Sequence, residues 1–206
     1  MSLSVRKIVI SGILGAIAIL LGVTRLGFIP VPTPAGHATI MHIPVILGGI
    51  LEGPVVGLIT GAIFGLFSFL QPGAPFFADP LVSILPRLFI GIISFLVYFS
   101  TKKINILVAR VFEAPLTNIK NRISPGLTGA LEKFNGILPY LLGGAFGSAT
   151  NTVLVMGMVT WRGYLPAEAS ISIGVLHGVP ELIVAAVLTV ILVKGIQRIR
   201  TTEDKS

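Results

Sequence analysis

Residues 42–70 read HIPVILGGILEGPVVGLITGAIFGLFSFL, two apolar runs that are separated by a turn at 52–54. The first run covers only about 42–52, which is too short to cross a bilayer upright, because a spanning helix needs about 20 apolar residues. The second run covers about 55–70. We therefore predict a helical hairpin, in which a short or tilted helix precedes a longer one.

The rest of the chain is also apolar and poor in charge. Of its 206 residues, 53% are hydrophobic and 11% are charged, and the mean hydropathy is +0.96. Soluble domains carry about 25% charged residues, so this chain has too few charges to cover the surface of a soluble protein of its size. The composition excludes an ordinary cytosolic enzyme, a disordered chain and a disulfide-stapled secreted domain. It indicates a polytopic membrane protein embedded in a lipid bilayer.

Six apolar runs follow one another along the sequence. We predict an all-α fold of six transmembrane helices in a single integral membrane domain, 1–206, with helices at about 5–27, 42–52, 55–70, 80–100, 136–160 and 172–196. The first run follows Arg6 and Lys7, and no small-x-small cleavage site comes after it. We therefore interpret it as a retained helix rather than a signal peptide.

The basic residues predict the direction of the helices. Twelve of the 15 fall before the first run, in the polar segment 101–134, or at the end of the last run. Loops rich in Lys and Arg face the cytoplasm, so both termini are predicted to be cytoplasmic. The loops at 28–41, 71–79 and 161–170 are then on the outer side. No basic patch is interleaved with aromatic residues in a foldable soluble segment, so no nucleic-acid partner is predicted.

A few polar side chains lie inside the predicted spans, where each one is costly without a function or a partner. At 1.5 Å per residue, Arg87 lies about 10 Å and Glu181 about 14 Å below the outer ends of their helices. His177 is one turn above Glu181 on the same face, and Asn151 lies in the outer half of helix five. We predict an outward-facing solute pocket with Arg87 as the anion anchor and the other three as hydrogen-bond partners. The structural alternative is that Arg87 pairs with Glu181 and that Asn151 only joins helices.

Two further residues are candidates for the same pocket. Asp79 precedes helix four, where a carboxylate can cap the helix, and its position also faces the predicted pocket. Trp161 fits an interfacial aromatic belt or a cover over the site. No metal is predicted, because His177 and Glu181 lack a third ligand. No enzyme is predicted either, since the chain has neither a Walker motif nor a Gly-x-Ser-x-Gly elbow.

The first helix carries small residues four positions apart. They form two pairs, Ser11 with Gly15 and Gly12 with Ala16. Small side chains on one helix face allow another helix to approach closely. The sequence leaves open whether that partner is a helix of the same chain or a separate subunit.

Three stretches carry a resemblance to a known family, the substrate-binding S components of energy-coupling factor (ECF) vitamin transporters. The run 38–57, ATIMHIPVILGGILEGPVVG, resembles the family's short second helix, its Gly-Pro turn and the start of its third helix. The run 79–88 resembles the entry to helix four, and GSATNT at 147–152 resembles part of helix five. The resemblance implies capture of a water-soluble vitamin from the outside by a multi-pass protein of a prokaryotic plasma membrane.

The same resemblance implies partners. Such proteins associate with a transmembrane coupling subunit and two cytosolic ATPases, so ATP is used by the partners and this chain itself has no cofactor. In the family, small residues of helix one contact the coupling subunit. Here Ser11, Gly12, Gly15 and Ala16 would hold that place.

The second-helix run is most similar to the pantothenate-type branch, and Arg87 would suit a carboxylate through a bidentate pair. Cobalamin, riboflavin, folate and a pyrimidine precursor are the alternative substrates. Flavin and folate rings would need stacking surfaces, and few aromatic residues are apparent near the outer loops. Two hypotheses outside this family are also open. One is an intramembrane enzyme that uses His177 and Glu181, and the other is a structural subunit of a membrane assembly.

Overall fold

A computed structural model describes residues 4–30, 37–120 and 125–203, and over these ranges the chain is predominantly helical. The helices are α1 (Val5–Val23), α2 (Ile43–Glu52), α3 (Pro54–Leu70), α4 (Pro80–Ser83), α5 (Leu85–Lys120), α6 (Pro125–Trp161) and α7 (Ala167–Glu203). A 3-10 turn covers Pro75–Ala78. A short antiparallel hairpin of β1 (Phe28–Pro30) and β2 (His37–Thr39) follows α1, with Phe28 opposite Thr39.

The predicted hairpin at 42–70 is present as α2 and α3. Gly53 joins the two helices with φ 98°, a conformation that glycine adopts at no steric cost. Pro54 then begins α3 at the first helical position, where its missing N–H removes no helical bond. Every residue of α2 from Ile43 to Ile50 is buried, so this short helix forms the centre of the bundle.

Six helices of ten residues or more are present in the described ranges. Four are long and apolar enough to cross a membrane: Val5–Val23, Pro80–Val108, Gly129–Trp161 and Ala167–Ile199. The other two are α2 and α3, which are shorter apolar helices. An all-helical architecture with six main helices, four of spanning length, is therefore confirmed. Six complete spans and cytoplasmic termini remain predictions.

The observed helix ends differ from the predicted ones where the sequence is polar. The predicted fourth helix, about 80–100, is interrupted after Ser83 and then continues to Lys120. The predicted fifth helix, from 136, already begins at Pro125, and the sixth, from 172, begins at Ala167 and reaches Glu203. Once a helix has formed, each added residue gains a backbone bond whatever its polarity. Hydropathy therefore marked only the apolar part of each helix.

The first helix is shorter than predicted, because α1 ends at Val23 rather than near 27. The Thr24 hydroxyl donates to the Leu20 carbonyl at 2.6 Å, and the Gly27 amide donates to the Leu21 carbonyl at 2.8 Å. These bonds close the last turn and redirect the chain into β1, which the sequence had suggested only as a loop.

Helices α3 and α5 approach each other along glycine residues. A Cβ added to Gly57 would lie 2.8 Å from the Cα of Gly91, and a Cβ added to Gly61 would meet the carbonyl of Arg87. Backbone atoms cannot rotate away as a flexible side chain can. The absence of side chains at these positions therefore fixes the first turns of α5, and Arg87 with them, against α3.

Candidate functional site

A cavity of about 880 Å³ lies where α1 and α3 end and where α5 and α7 begin. We call it the loop-end cavity, because residues of the β-hairpin region and of the loop after α3 complete its wall. Small-molecule pockets measure about 300–1,000 Å³, so its size suits a small ligand. Its polar lining residues are Arg25, Thr39, Ser68, Gln71, Arg87, Asn151, Thr152, His177 and Glu181.

Four of the six predicted substrate-binding residues line this cavity. Arg87 comes from α5, Asn151 from α6, and His177 and Glu181 from α7. Three separate helices thus bring to one place the polar groups that the sequence located at similar depth. Whether these groups bind a solute stays a prediction.

Arg87 is held in the cavity wall by its surroundings. Its side chain is only 4% exposed. Nη1 donates to the Val82 carbonyl at 2.6 Å, and Nη2 lies 3.5 Å from the Ser68 hydroxyl. The guanidinium carbon is 4.8 Å from the ring centroid of Phe77 and 5.6 Å from that of Phe64, within the range of a cation–π contact. Nε is buried and has no hydrogen-bond partner among the described residues.

The Val82 carbonyl is available to Arg87 because of a proline. In an uninterrupted helix it would accept from the amide four residues later, which here belongs to Pro86 and carries no hydrogen. The chain instead breaks between α4 and α5 at Ile84, and the Arg87 guanidinium takes the free carbonyl. One edge of the guanidinium is thereby fixed, while Nε still lacks an acceptor.

Glu181 is fixed from a different direction. It is 7% exposed, and its Oε1 accepts a hydrogen bond from the Thr39 backbone amide at 2.7 Å. This bond joins α7 to β2. Within the described ranges Glu181 and Arg87 form no ion pair. The structural alternative, in which these two residues pair with each other, is therefore not the observed arrangement.

Asn151 and His177 contribute further polar atoms to the wall. Asn151 is half-buried, and its Oδ1 has no hydrogen-bond partner among the described residues. His177 is half-buried as well. The cavity therefore offers a cation on the α5 side and hydrogen-bonding groups on the α6 and α7 side. The described residues contain no group of three His, Asp or Glu side chains placed to hold a metal ion.

Asp79 does not line the cavity. Its Oδ1 accepts from the Leu81 amide at 2.9 Å and caps α4, as the sequence favoured. Its Oδ2 lies 2.6 Å from Arg162 Nε and 3.3 Å from the Tyr164 hydroxyl. The Leu81 amide and then Arg162 hold the pKa of the Asp79 carboxyl below its usual range. Asp79 thus joins the start of α4 to the turn after α6.

Trp161 also lies outside the cavity lining. It is the last residue of α6 and is 72% exposed. No described residue of the predicted outer loop 161–170 lines the cavity, whereas the outer loops 28–41 and 71–79 both contribute to it, for example through Phe28 and Phe77. The central part of the first loop, 31–36, lies outside the described residues.

The aromatic lining is larger than the sequence suggested. Besides Phe76 and Phe77 of the loop, the wall includes Phe28, Phe64 and Phe67. The argument that flavin and folate would lack aromatic stacking surfaces therefore does not hold for the folded cavity. Phe64 and Ser68 lie seven and eleven residues beyond Gly57 on α3, which is about two and three helical turns. Helical periodicity could therefore have indicated that both residues are on the same face of α3 as Gly57.

The two small-residue pairs of α1 face different surroundings. Ser11 is 1% exposed, and its hydroxyl donates to the Lys7 carbonyl at 2.8 Å. Gly15 is also buried, and a Cβ there would lie 2.7 Å from Ile63. Gly12 and Ala16 are exposed, and a Cβ on Gly12 would meet no atom within 4 Å. The first pair packs inside the chain, and the second faces outward.

The outward face of α1 is apolar as well as small. The exposed side chains around Gly12 and Ala16 are Val5, Ile8, Val9, Ile13, Ile17, Leu20 and Val23. Only 17% of the spanning window of this helix is buried inside the chain. This face is therefore available to lipid or to a helix of another subunit.

Sequence comparison finds a family for most of the chain. The family model described as "ECF transporter, substrate-specific component" matches residues 6–193. No individual curated protein matches the chain.

Proposed function

Because the chain belongs to the family of substrate-specific components of ECF transporters, we propose that it binds pantothenate in the loop-end cavity. Members of this family are substrate-binding subunits, not enzymes, and they work with a coupling subunit and ATPases as a transporter complex. The chain is accordingly a multi-pass membrane protein. Capture of the vitamin and its delivery to the partner subunits follow from that role.

The buried guanidinium of Arg87 is the observation that carries the choice of substrate. Its Nη1 is occupied by the Val82 carbonyl, while Nε has no acceptor among the described residues. A buried donor without a partner costs free energy, and the carboxylate of pantothenate would satisfy it with a charge-assisted hydrogen bond. The similarity of the second-helix run to the pantothenate-type branch supports the same choice.

The polar groups on the α6 and α7 side of the cavity suit the remaining polar groups of pantothenate. Pantothenate carries two hydroxyl groups and an amide, which need hydrogen-bond acceptors and donors. Asn151 Oδ1 and Glu181 would accept from the hydroxyl groups, and His177 lies on the same wall. The phenylalanine rings would cover the apolar carbon atoms between the two polar ends.

We place the cavity on the outer side of a prokaryotic plasma membrane. The cavity lies at the end of α1 and at the start of α5, so the basic residues at the start of α1 and at Lys102 and Lys103 are at the opposite end. Since basic loops face the cytoplasm, this arrangement supports cytoplasmic termini and a cavity that receives solutes from outside.

Isothermal titration calorimetry of the purified chain tests the substrate. The panel is pantothenate, riboflavin, cobalamin, folate and a pyrimidine precursor, and mass spectrometry of ligand released on denaturation gives an independent readout. We expect saturable binding of pantothenate and pantothenate in the released fraction. Binding of another panel member would refute pantothenate and retain the role as a binding subunit. A preparation that binds none of the panel would contradict the role itself.

We also propose that Gly12 and Ala16 form the contact with the coupling subunit. Both are small and face outward, so a second helix could approach α1 closely there.

Replacing Gly12 by leucine is expected to reduce vitamin uptake into proteoliposomes that contain the complete transporter, while calorimetry shows unchanged binding. Gly15→Leu is the matched comparison, because its side chain would collide with Ile63 and impair folding and binding together. Equal loss of binding in both variants would argue that Gly12 packs inside the chain.

A further inference from the structure

We infer that Arg25 is an entrance residue, which attracts an anionic solute to the mouth of the loop-end cavity before the solute reaches Arg87. The inference rests on the proposed function, since it requires a ligand with a negative charge. Arg25 lines the same cavity as Arg87. It is exposed, whereas Arg87 is 4% exposed, so one arginine faces solvent and the other lies in the wall.

The backbone at Arg25 shows an unusual choice of residue. Arg25 has φ 59°, in the left-handed region that is costly for residues with a Cβ. It follows the end of α1, where glycine or asparagine is the usual residue in this conformation. Its amide donates to the Gly22 carbonyl at 3.2 Å, and its carbonyl accepts from the Phe28 amide at 3.1 Å. A long cationic side chain is thus held at a strained position beside a cavity, and strain of this kind clusters at functional sites.

Among the residues that the structure describes, Arg25 is the one exposed arginine in the cavity lining. Arg162, which follows α6, pairs with Asp79 at 2.6 Å and does not line the cavity. Within the described ranges Arg25 forms no ion pair. Its charge is therefore available to a solute.

An exposed charge at the mouth and a buried charge inside act at different stages of binding. The cavity lining holds two arginines, Arg25 and Arg87, against one carboxylate, Glu181, and this excess of positive charge raises the local concentration of an anionic ligand and its association rate. The exposed charge is hydrated and screened by salt, so it contributes little to holding the bound ligand. Arg25 should consequently control the association rate constant, and Arg87 the dissociation rate constant.

Stopped-flow binding kinetics with the purified chain tests this assignment. Arg25→Gln removes the charge and keeps the side-chain length, and Arg25→Lys keeps the charge. Arg25→Gly also removes the charge but relieves the backbone strain, which guards against a folding defect. Arg162→Gln is the matched control, since it removes an arginine that is paired and lies outside the cavity. Each variant is measured with pantothenate and with its uncharged alcohol analogue, in which CH₂OH replaces the carboxylate.

We expect Arg25→Gln and Arg25→Gly to lower the association rate constant for pantothenate by about tenfold, at the lower end of the range for electrostatic steering. The dissociation rate constant should stay unchanged. The remaining association rate should depend less on salt between about 0.01 and 0.15 M, as the Debye length falls from about 30 to about 8 Å. Arg25→Lys and Arg162→Gln should behave as the wild type does, and no variant should slow the alcohol analogue.

An unchanged association rate in Arg25→Gln, or equal slowing of both ligands, would overturn the inference and leave the proposed function intact. If the chain binds a different carboxylate vitamin, the proposed substrate is wrong, and the same comparison with that vitamin still tests Arg25. A chain that binds only uncharged or cationic vitamins would overturn the inference and the proposed substrate but retain the role as a binding subunit, and a chain that binds no vitamin would overturn that role as well.

Discussion

Replacing Arg87 by alanine is expected to weaken pantothenate binding by about 1.5–3 kcal/mol, the scale of a hydrogen bond to a charged group, or roughly 10- to 150-fold in Kd. The loss has two sources. The carboxylate loses the guanidinium that would pair with it, and the Val82 carbonyl loses its donor. Because Arg87 is almost fully buried, its charge is screened by salt much less than an exposed charge would be. Calorimetry of the variant measures the change in Kd directly.

Arg87→Lys is the matched comparison for this prediction. It keeps the positive charge but cannot reproduce the planar fork that binds Val82 on one side and a ligand on the other. We expect the affinity of Arg87→Lys for pantothenate to lie between that of the wild type and that of Arg87→Ala. Thermal unfolding without ligand separates binding from stability. Unchanged affinity in Arg87→Ala would assign Arg87 a purely structural role.

The second large effect is expected from Gly61, which does not line the loop-end cavity. In Gly61→Ala the new methyl group would meet the carbonyl and the carbonyl carbon of Arg87, so α5 must move away from α3. Overpacking of this kind costs about 1–3 kcal/mol. Since the displaced backbone carries Arg87, we expect the thermal unfolding midpoint and the affinity for the vitamin to fall together.

Gly136→Ala provides the control for Gly61→Ala. Gly136 lies in α6, and a Cβ there would meet no atom within 4 Å. Both substitutions gain the same helix propensity, up to about 1 kcal/mol, but only Gly61→Ala creates a collision. Gly136→Ala should therefore be as stable as the wild type or slightly more stable, with unchanged affinity. If Gly61→Ala matched it in both measurements, the contact between α3 and α5 would not position Arg87.

The parts of the fold that the sequence predicted well depend on local signals. A break at Glu52-Gly53-Pro54 between two short apolar runs is enough to predict a hairpin. Glycine is preferred just after the end of a helix, and proline is preferred at the first position of the next one. The common depth of Arg87, Asn151 and Glu181 follows from helical rise alone. These three residues line one cavity in the folded chain.

The parts that sequence analysis missed depend on contacts between distant segments. Periodicity places Ser11, Gly12, Gly15 and Ala16 on one small-residue surface, but only packing against α3 determines that Gly15 faces inward and Gly12 outward. Depth in the membrane suggested that Arg87 could pair with Glu181. The short hydrogen bonds that Arg87 and Glu181 make are instead to the Val82 carbonyl and from the Thr39 amide, which are backbone groups that no residue type reveals.

The burial of α2 has a consequence for the relation between the protein and its bilayer. A helix of ten residues is about 15 Å long, roughly half the thickness of the hydrocarbon core. A lipid-facing helix of that length would suffer hydrophobic mismatch and would deform the bilayer or tilt. Because α2 is surrounded by protein from Ile43 to Ile50, membrane thickness acts only on the outer helices. The central packing that supports the cavity is thereby insulated from changes in lipid composition.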